Sequence, residues 1–119
     1  MSNFQNLIGV KIAQGVLPTT GISVFAVVPP NSQFYLKDID FCNTGAASTN
    51  ISLFIVPTGV SSATVIATPS KYALYYGTTI AANGTLAWRG TQILNAGDSI
   101  QGFASAAGCT IIMSGAQAT

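Results

Sequence analysis

Few side chains in this chain could carry out chemistry. Histidine and glutamate, the usual proton carriers near neutral pH and frequent metal ligands, do not occur in the sequence. The cysteines and tyrosines are the only weaker acids. We therefore expect no enzymatic activity and no metal or other cofactor. The fully charged side chains are Lys11, Lys37, Asp38, Asp40, Lys71, Arg89 and Asp98.

Asp38 and Asp40 are the one pair of carboxylates with a spacing that could matter. Two residues apart on a strand, they point the same way and lie about 7 Å apart. Such a pair could hold Ca²⁺ or act as an acid and a base. Calcium usually needs six or more oxygen ligands, and no acidic loop accompanies the pair. We expect instead an exposed strand face opposite Ile39 and Phe41.

The remaining candidates for catalysis are weaker still. Asp98 follows a glycine in a turn, where aspartate commonly bonds its own backbone. Ser70 and Lys71 are adjacent, and adjacent residues of a strand point to opposite faces. Cys42 and Cys109 are expected to be buried free thiols, and a disulfide between them is the alternative if their strands are neighbours.

An aromatic group with one arginine is a candidate binding surface. We expect Trp88 to pack in the core. The group could bind a sugar, but exposed aromatic residues next to arginine are also the usual anchors of protein interfaces. The candidate interface residues from this group are Tyr72, Tyr75, Tyr76 and Arg89.

The composition describes a neutral chain with an ample core. Of its 119 residues, 49% are hydrophobic and 6% are charged, whereas globular proteins average about 25% charged residues. A free monomer with so neutral a surface would tend to associate, so we expect a homo-oligomer or a surface covered by other subunits. The four basic residues are scattered and the net charge is +1, which argues against binding to nucleic acid.

No signal for a membrane or for secretion is visible. The first residues carry no basic run before an apolar stretch, so we expect no signal peptide. The longest apolar runs, such as Val24–Pro30, are too short to span a bilayer.

Strand signals dominate the chain. Eight or nine short apolar runs recur about every ten residues between turn residues, which predicts an all-β fold: a single antiparallel β-sandwich of jelly-roll type. In the run 33–43, the apolar residues Phe34 and Leu36 have even numbers, whereas Ile39 and Phe41 have odd numbers. In a regular strand these two pairs would point to opposite faces. We therefore predict a β-bulge near residues 37–38.

Two further segments leave alternatives open. Residues 50–56 are apolar on both faces, which predicts either a central strand or a strand whose outer face packs on another subunit. Residues 60–69 read as a connection, with a short strand possible at 64–67. Residues 1–16 form an N-terminal segment that is either the first strand or an arm donated to a neighbour, and residues 17–119 form the sandwich. One face of that segment adds Ile8, Val10 and Ile12 to the candidate interface.

The stretches VPPNSQFYLKDIDFCNTGAASTNISLFIVPTG and IAANGTLAWRGTQILNAGDSIQGFASAAGCTIIMSG carry a resemblance. Together they resemble small β-sandwich virion proteins of tailed bacteriophages, over nearly the whole chain from about Leu17 to Gly115. The resemblance implies a structural role in the particle, as a capsid decoration (cement) protein or as a tail- or fibre-associated protein. It also implies the major capsid protein or other virion subunits as partners, and location in a virion assembled in the host cytoplasm. A carbohydrate- or receptor-binding β-sandwich is the alternative.

Overall fold

A computed structural model describes residues 7–119 of the chain and shows eight strands. One short α-helix and one 3₁₀ turn, Pro69–Lys71, lie between the fourth and fifth strands. The elements are β1 Leu7–Val16, β2 Ser23–Val27, β3 Gln33–Asn43, β4 Thr49–Val56, α1 Ser62–Ala67, β5 Ala73–Ile80, β6 Thr85–Leu94, β7 Ser99–Ala104 and β8 Cys109–Ala118.

The strands form two antiparallel four-stranded sheets. Sheet A has the order β1-β8-β3-β6, and sheet B has the order β2-β7-β4-β5. The pairing is nested, because the first strand pairs with the last, the second with the seventh, the third with the sixth and the fourth with the fifth. The all-β, antiparallel β-sandwich prediction is confirmed, and the strand count is eight.

The core lies between the sheets and follows from the period-two alternation of the strands. Strand β3 contributes Leu36, Ile39 and Phe41, and β4 contributes Ile51 and Leu53, all with at most 1% of their surface exposed. The strands in the middle of each sheet are therefore the most apolar ones.

The parity change in β3 is a β-bulge, as predicted. The register of β3 with β8 shifts between Leu36 and Asp38, so Lys37 is the extra residue on β3. The bulge keeps Leu36 and Ile39 on the same inner face although they are three residues apart.

The segment predicted as a possible strand at 64–67 is a helix, α1. The side-chain oxygen of Ser61 accepts a hydrogen bond from the backbone N–H of Thr64 at 3.2 Å and thereby caps the first turn. Val65 is buried on the outer face of sheet B, where it packs with Phe54 and Val56. The central-strand interpretation of residues 50–56 is confirmed, and packing of that outer face on another subunit is wrong, because the chain's own helix covers it. Within residues 7–119, no helix is long and apolar enough to cross a membrane.

Candidate assembly surface

The two carboxylates of β3 face solvent from the outer side of sheet A and are bridged by one arginine of β6. Arg89 Nε lies 3.1 Å from Asp38 Oδ1, and Arg89 Nη2 lies 3.0 Å from Asp40 Oδ1. The predicted exposed face opposite Ile39 and Phe41 is confirmed. Within the described part of the chain, no three potential metal ligands of the His, Cys, Asp or Glu types cluster. The trio is thus an exposed ion-pair group on a sheet surface.

Asp98 is held in a turn by hydrogen bonds to the backbone. Asp98 Oδ2 accepts a hydrogen bond from the backbone N–H of Asn95 at 2.8 Å, which closes the turn as predicted, and Oδ1 accepts one from the backbone N–H of Thr58 at 3.1 Å.

Both cysteines are free: Cys109 is buried, as expected, whereas Cys42 is only half-buried. Cys42 pairs with Thr110 in the ladder, so Cys42 and Cys109 are one residue out of register and point to opposite faces of sheet A.

Of the candidate aromatic residues, only Tyr76 is largely exposed. Its side chain is 64% exposed and meets Phe54 edge-on. Tyr75 packs edge-to-face on Phe41 with ring centroids 5.4 Å apart, and burial raises the pKa of its phenol. Tyr72 is half-buried beside α1, and Trp88 is half-buried against the main core, which is where the sequence placed it.

The candidate apolar residues of β1 differ in exposure. Ile8 is 58% exposed, Val10 is half-buried, and Ile12 is half-buried against the main core. Residues 7–16 pair as β1 with β8 of the same chain. The part of the N-terminal segment before Leu7 lies outside the described residues.

Many of the exposed large apolar side chains lie on the edge strands β1 and β2. Strands β1 and β2 are edge strands of different sheets and lie next to each other, so that a side chain at Gly15 would touch the ring of Phe25 at 3.7 Å. Five of the nine large apolar side chains found exposed in residues 7–119 lie on these two strands. They do not form one surface, because Leu7 and Val16 point to the outer face of sheet A, whereas Val24 and Val27 point to the outer face of sheet B.

The two outer faces of the sandwich differ. Helix α1 packs on the outer face of sheet B, whereas no described element covers the outer face of sheet A. The uncovered face of sheet A carries the Arg89 ion pairs together with Lys37, whose Nζ donates to Thr91 Oγ1 at 2.8 Å.

Every edge strand carries an interruption in its ladder. The register shifts in β1 after Lys11, in β2 after Val24, at two places along the pairing of β5, and in the pairing of β6 with β3. Bulges twist an edge away from regular pairing and so hinder the addition of a strand from another chain. Contacts with a partner are therefore expected through side chains rather than through the backbone.

A shallow apolar hollow accompanies these surfaces. It has a volume of about 280 Å³ and is lined by Thr19, Gly21, Ile66 and Phe103. Pockets for small ligands usually measure about 300–1,000 Å³ and bury most of the ligand.

No protein-family model matches the chain, and no curated protein matches it in sequence. Solved structures do share its fold. One belongs to the disulfide-linked pili that form Bacillus endospore appendages, with 12% identity, a TM-score of 0.52, and coverage of 100% of this chain and 93% of that chain. A chain of the infectious bursal disease virus particle has 9% identity and a TM-score of 0.50, and the match covers 98% of this chain but 31% of that one.

A chain of the acid-stable capsid of Helicobacter pylori bacteriophage KHP30 is similar at 6% identity and a TM-score of 0.47, covering 96% of this chain and 94% of that one. At these identities the likeness is one of fold. The chain has a β-sandwich fold that also occurs in a virus particle and in a pilus.

The sequence did not indicate which apolar residues would be exposed. Val16, Val24 and Val27 gave no signal of their own, because whether a strand is at an edge depends on the strand order. The only available signal was in residues 23–27, which form a short run in which the alternation of apolar residues is interrupted. Both features are typical of edge strands but not specific for them.

Proposed function

We propose that this chain is a non-enzymatic structural subunit of a bacteriophage particle, and within that class a capsid decoration protein. Its partners are the major capsid protein or other virion subunits, with further copies of the chain beside it. Its location is the virion, which is assembled in the host cytoplasm. In this role the chain stabilises the shell by bridging neighbouring shell subunits.

One observation carries this proposal: large apolar side chains remain uncovered on a chain with almost no charge. Val24 and Val27 are 51% and 56% exposed on the same edge strand, while 6% of all residues are charged. Contiguous exposed apolar surface usually marks a contact with another protein. Such a surface suits a protein that works bound to a large assembly.

The fold also supports a role in a particle. Eight strands with nested pairing in two sheets correspond to the jelly-roll arrangement, which is frequent in viral capsid domains. The virus-particle chain of similar fold points the same way. An enzyme is disfavoured by the residues themselves, since the described carboxylates are held in ion pairs or in a turn.

A fibre or tail role is the second candidate. It is favoured by the likeness to the endospore pilus protein, which extends over the full length of this chain. A carbohydrate-binding role has less support, because a sugar platform needs several exposed rings and Tyr75 and Trp88 are half-buried.

Binding to purified capsids that lack this chain tests the proposal. We expect binding at micromolar concentration and a rise in the melting temperature of the capsids, because a ligand of the assembled state stabilises that state. Absence of binding at micromolar concentration would exclude the decoration role. Filaments formed by the purified chain alone, seen by electron microscopy, would favour the fibre role instead.

A further inference from the structure

The outer face of sheet A is a single surface made of four strands, and no described element covers it. Residues that pair in neighbouring strands point to the same side of a sheet, so the outward side chains form rows across the strands. The middle one of these rows contains Lys11 on β1, Ser114 on β8, Asp38 on β3 and Arg89 on β6. A positive and a negative charge therefore lie in one row on either side of β8.

The carboxylates of this face are only partly neutralised. Arg89 Nε contacts Asp38 and Arg89 Nη2 contacts Asp40, so that one guanidinium serves two carboxylates and the group keeps one negative charge. Lys37, the extra residue of the bulge, reaches away from β8 and donates to Thr91 Oγ1 on β6 at 2.8 Å. Among residues 7–119, no other cation contacts the two carboxylates, so the side of the group that faces β8 is open to one.

Lys11 is the complementary charge on the same face. Its Nζ donates to the neutral Gln14 Oε1 at 2.8 Å, and it forms no ion pair with a carboxylate of the described chain. Strand β8 separates Lys11 from Asp38, so their backbones lie two strand spacings apart, about 10 Å. The face therefore presents a cation and an excess carboxylate that complement each other but do not meet within one chain.

The strand between the two charges has the properties of a symmetry axis. A second copy, rotated by half a turn about a line along β8, lays β8 on β8 and exchanges β1 with β3. Lys11 of each copy then faces Asp38 of the other, because both pair with Ser114. No fully charged residue lies on β8, so the axis brings no like charges together. The large apolar side chain exposed on β8 is that of Ile112, which meets its counterpart there.

The spacing of packed sheets suits this arrangement. Two sheets pack face to face about 10 Å apart, a gap that a lysine and an aspartate side chain bridge from opposite sides. Aligned sheets cross at about 30°, which displaces the ends of facing strands most and the middle row, with Lys11 and Asp38, least.

The area of this contact predicts a weak dimer. The overlap consists of β1, β8 and β3, which have ten, ten and eleven residues. Three strands of this length cover roughly 450 Å² in each copy. The total of about 900 Å² is near the lower limit for a specific contact between proteins. Self-association is therefore expected only at high concentration, or where copies are held close together.

We propose that the outer face of sheet A binds the same face of a second copy of the chain, about a twofold axis along β8. Two equivalent contacts between Lys11 of one copy and Asp38 of the other fix the arrangement, and Ile112 packs against its counterpart on the axis. This inference rests on the part of the proposed function that sets further copies of the chain beside it, and adds the face through which two copies meet. Copies held next to one another on a shell pair more firmly than in solution, because their effective concentration is higher.

Charge reversal tests the pairing of Lys11 with Asp38. In Lys11→Asp and in Asp38→Lys, both twofold contacts bring like charges together, so each variant alone should dimerise at least tenfold more weakly than the wild type. Mixing the two variants should restore dimers, because both contacts of the mixed pair then join opposite charges. Sedimentation velocity of the full chain up to about 1 mM compares the two variants and their mixture with the wild type. Damage to the fold of either variant would not be repaired by mixing.

Matched lysine substitutions test the position of the axis. Ile112 on β8 lies on the axis, whereas Ile93 lies on β6, beyond the overlap, and the two are exposed on the same face by 41% and 57%. Ile112→Lys should weaken dimerisation at least tenfold, since two ammonium groups meet, and Ile93→Lys should leave it within about threefold of the wild type. Circular dichroism and thermal unfolding check that every variant is folded.

Three results would overturn the inference. The first is a wild type that stays monomeric up to about 1 mM. The second is a mixture of the two charge variants that dimerises no better than either variant alone, and the third is an Ile93→Lys variant that loses as much affinity as Ile112→Lys. No capsid takes part in these measurements, so their failure leaves the decoration role standing, and absence of capsid binding leaves the dimer standing.

Discussion

The side-chain amide nitrogen of Asn43 donates a hydrogen bond to the carbonyl oxygen of Ile80 at 3.1 Å and so joins the end of β3 in sheet A to the end of β5 in sheet B. Asn43 is fully buried, and the same amide also donates to the carbonyl oxygens of Ala47 and Ala81. Its Oδ1 accepts a hydrogen bond from the backbone N–H of Gly45 at 3.0 Å. One buried side chain thus holds two loops and both sheets together.

Replacing Asn43 should destabilise the fold strongly. The substitution Asn43→Ala removes the donor to the carbonyl oxygen of the buried Ile80, which should lower the free energy of unfolding by about 2–3 kcal/mol. Asn43→Asp should be at least as damaging, because a carboxylate cannot donate to these carbonyls. Urea denaturation measures both variants. The control is the exposed Asn50, whose Oδ1 accepts from Thr79 Oγ1 and whose replacement by alanine should cost under about 1 kcal/mol. Equal losses of unfolding free energy in the alanine variants of Asn43 and Asn50 would contradict the role given to Asn43.

Gly115 should not accept a side chain. It faces the bulge of β3, where a Cβ atom would lie on the carbonyl oxygen of Tyr35 and 3.1 Å from the backbone nitrogen of Lys37. Gly115→Ala should therefore lower the free energy of unfolding by about 2–3 kcal/mol or more, because backbone has to move. The matched control is Gly9→Ala, where the nearest atom to a Cβ is the Gly115 carbonyl oxygen at 3.9 Å. A Gly115→Ala variant as stable as Gly9→Ala would show that the bulge relaxes freely.

The stability of the fold should fall at alkaline pH, in part through Cys109. Burial, and secondarily the neighbouring Cys42, raises the pKa of the Cys109 thiol to about 11 from an ordinary value of 9.0. Because the folded state binds this proton more tightly than the unfolded state, the contribution is complete below pH 9 and is lost as the pH rises towards 11. The phenol of Tyr75, whose pKa is also raised by burial, acts in the same direction.

Urea denaturation between pH 7 and pH 11 measures this loss. In Cys109→Ala the fall should be shallower, so the stability difference between the variant and the wild type should shrink between pH 9 and pH 11. If the free energies of unfolding of the two proteins fall in parallel over this pH range, groups other than Cys109 cause the loss.

The ion pairs of Arg89 should contribute little to stability. Arg89 is 57% exposed and its partners Asp38 and Asp40 are 44% and 54% exposed, and exposed pairs are typically worth about 0.2–1 kcal/mol. Arg89→Gln should thus lower the free energy of unfolding by under about 1 kcal/mol, with the difference shrinking in salt. Thermal unfolding at low and high ionic strength checks this against Lys71→Gln, which removes a basic residue outside the ion-pair group. A large loss that persists in salt would indicate a packing role for the arginine stem.

Binding to capsids should depend weakly on ionic strength. Only 6% of the residues of the chain are charged, so raising the salt concentration from roughly 0.05 to 0.5 M should screen little of the contact energy. Titrations over this range should give affinities within about threefold of one another. A tenfold or greater loss would point to a contact through the charged face of sheet A.

Local rules predicted the features that depend on a few consecutive residues. The bulge at Lys37 followed from the change in apolar parity between Leu36 and Ile39, because one buried face requires a period of two. Helix α1 escaped prediction because its Thr64, Val65 and Ile66 have high strand propensity, and the Ser61 cap was outweighed. In the fold, burial of Val65 on Phe54 and the Ser61 cap override that propensity.

Features that depend on strand order could not be predicted from the sequence. Arg89 bridges Asp38 and Asp40 only because β6 pairs with β3 in one register, some fifty residues apart in the chain. The exposure of Val16 and Val24 likewise depends on which strands become edges. The sequence shows which residues are available for a surface, but the strand order decides which of them lie next to each other in space.

The nested pairing also sets an order of events during synthesis. The innermost pair, β4 with β5, is close in sequence and can form early, whereas Leu7 has to wait for Ala118, its partner in the ladder. At about 5–20 residues per second, the ribosome leaves β1 unpaired for roughly 5–20 s. Pulsed hydrogen exchange should therefore find the amides of β1 among the last to become protected. Strand β1 is then fixed only after β8 has been made, so that a subunit synthesised only as far as β7 has no closed sandwich with which to join a particle.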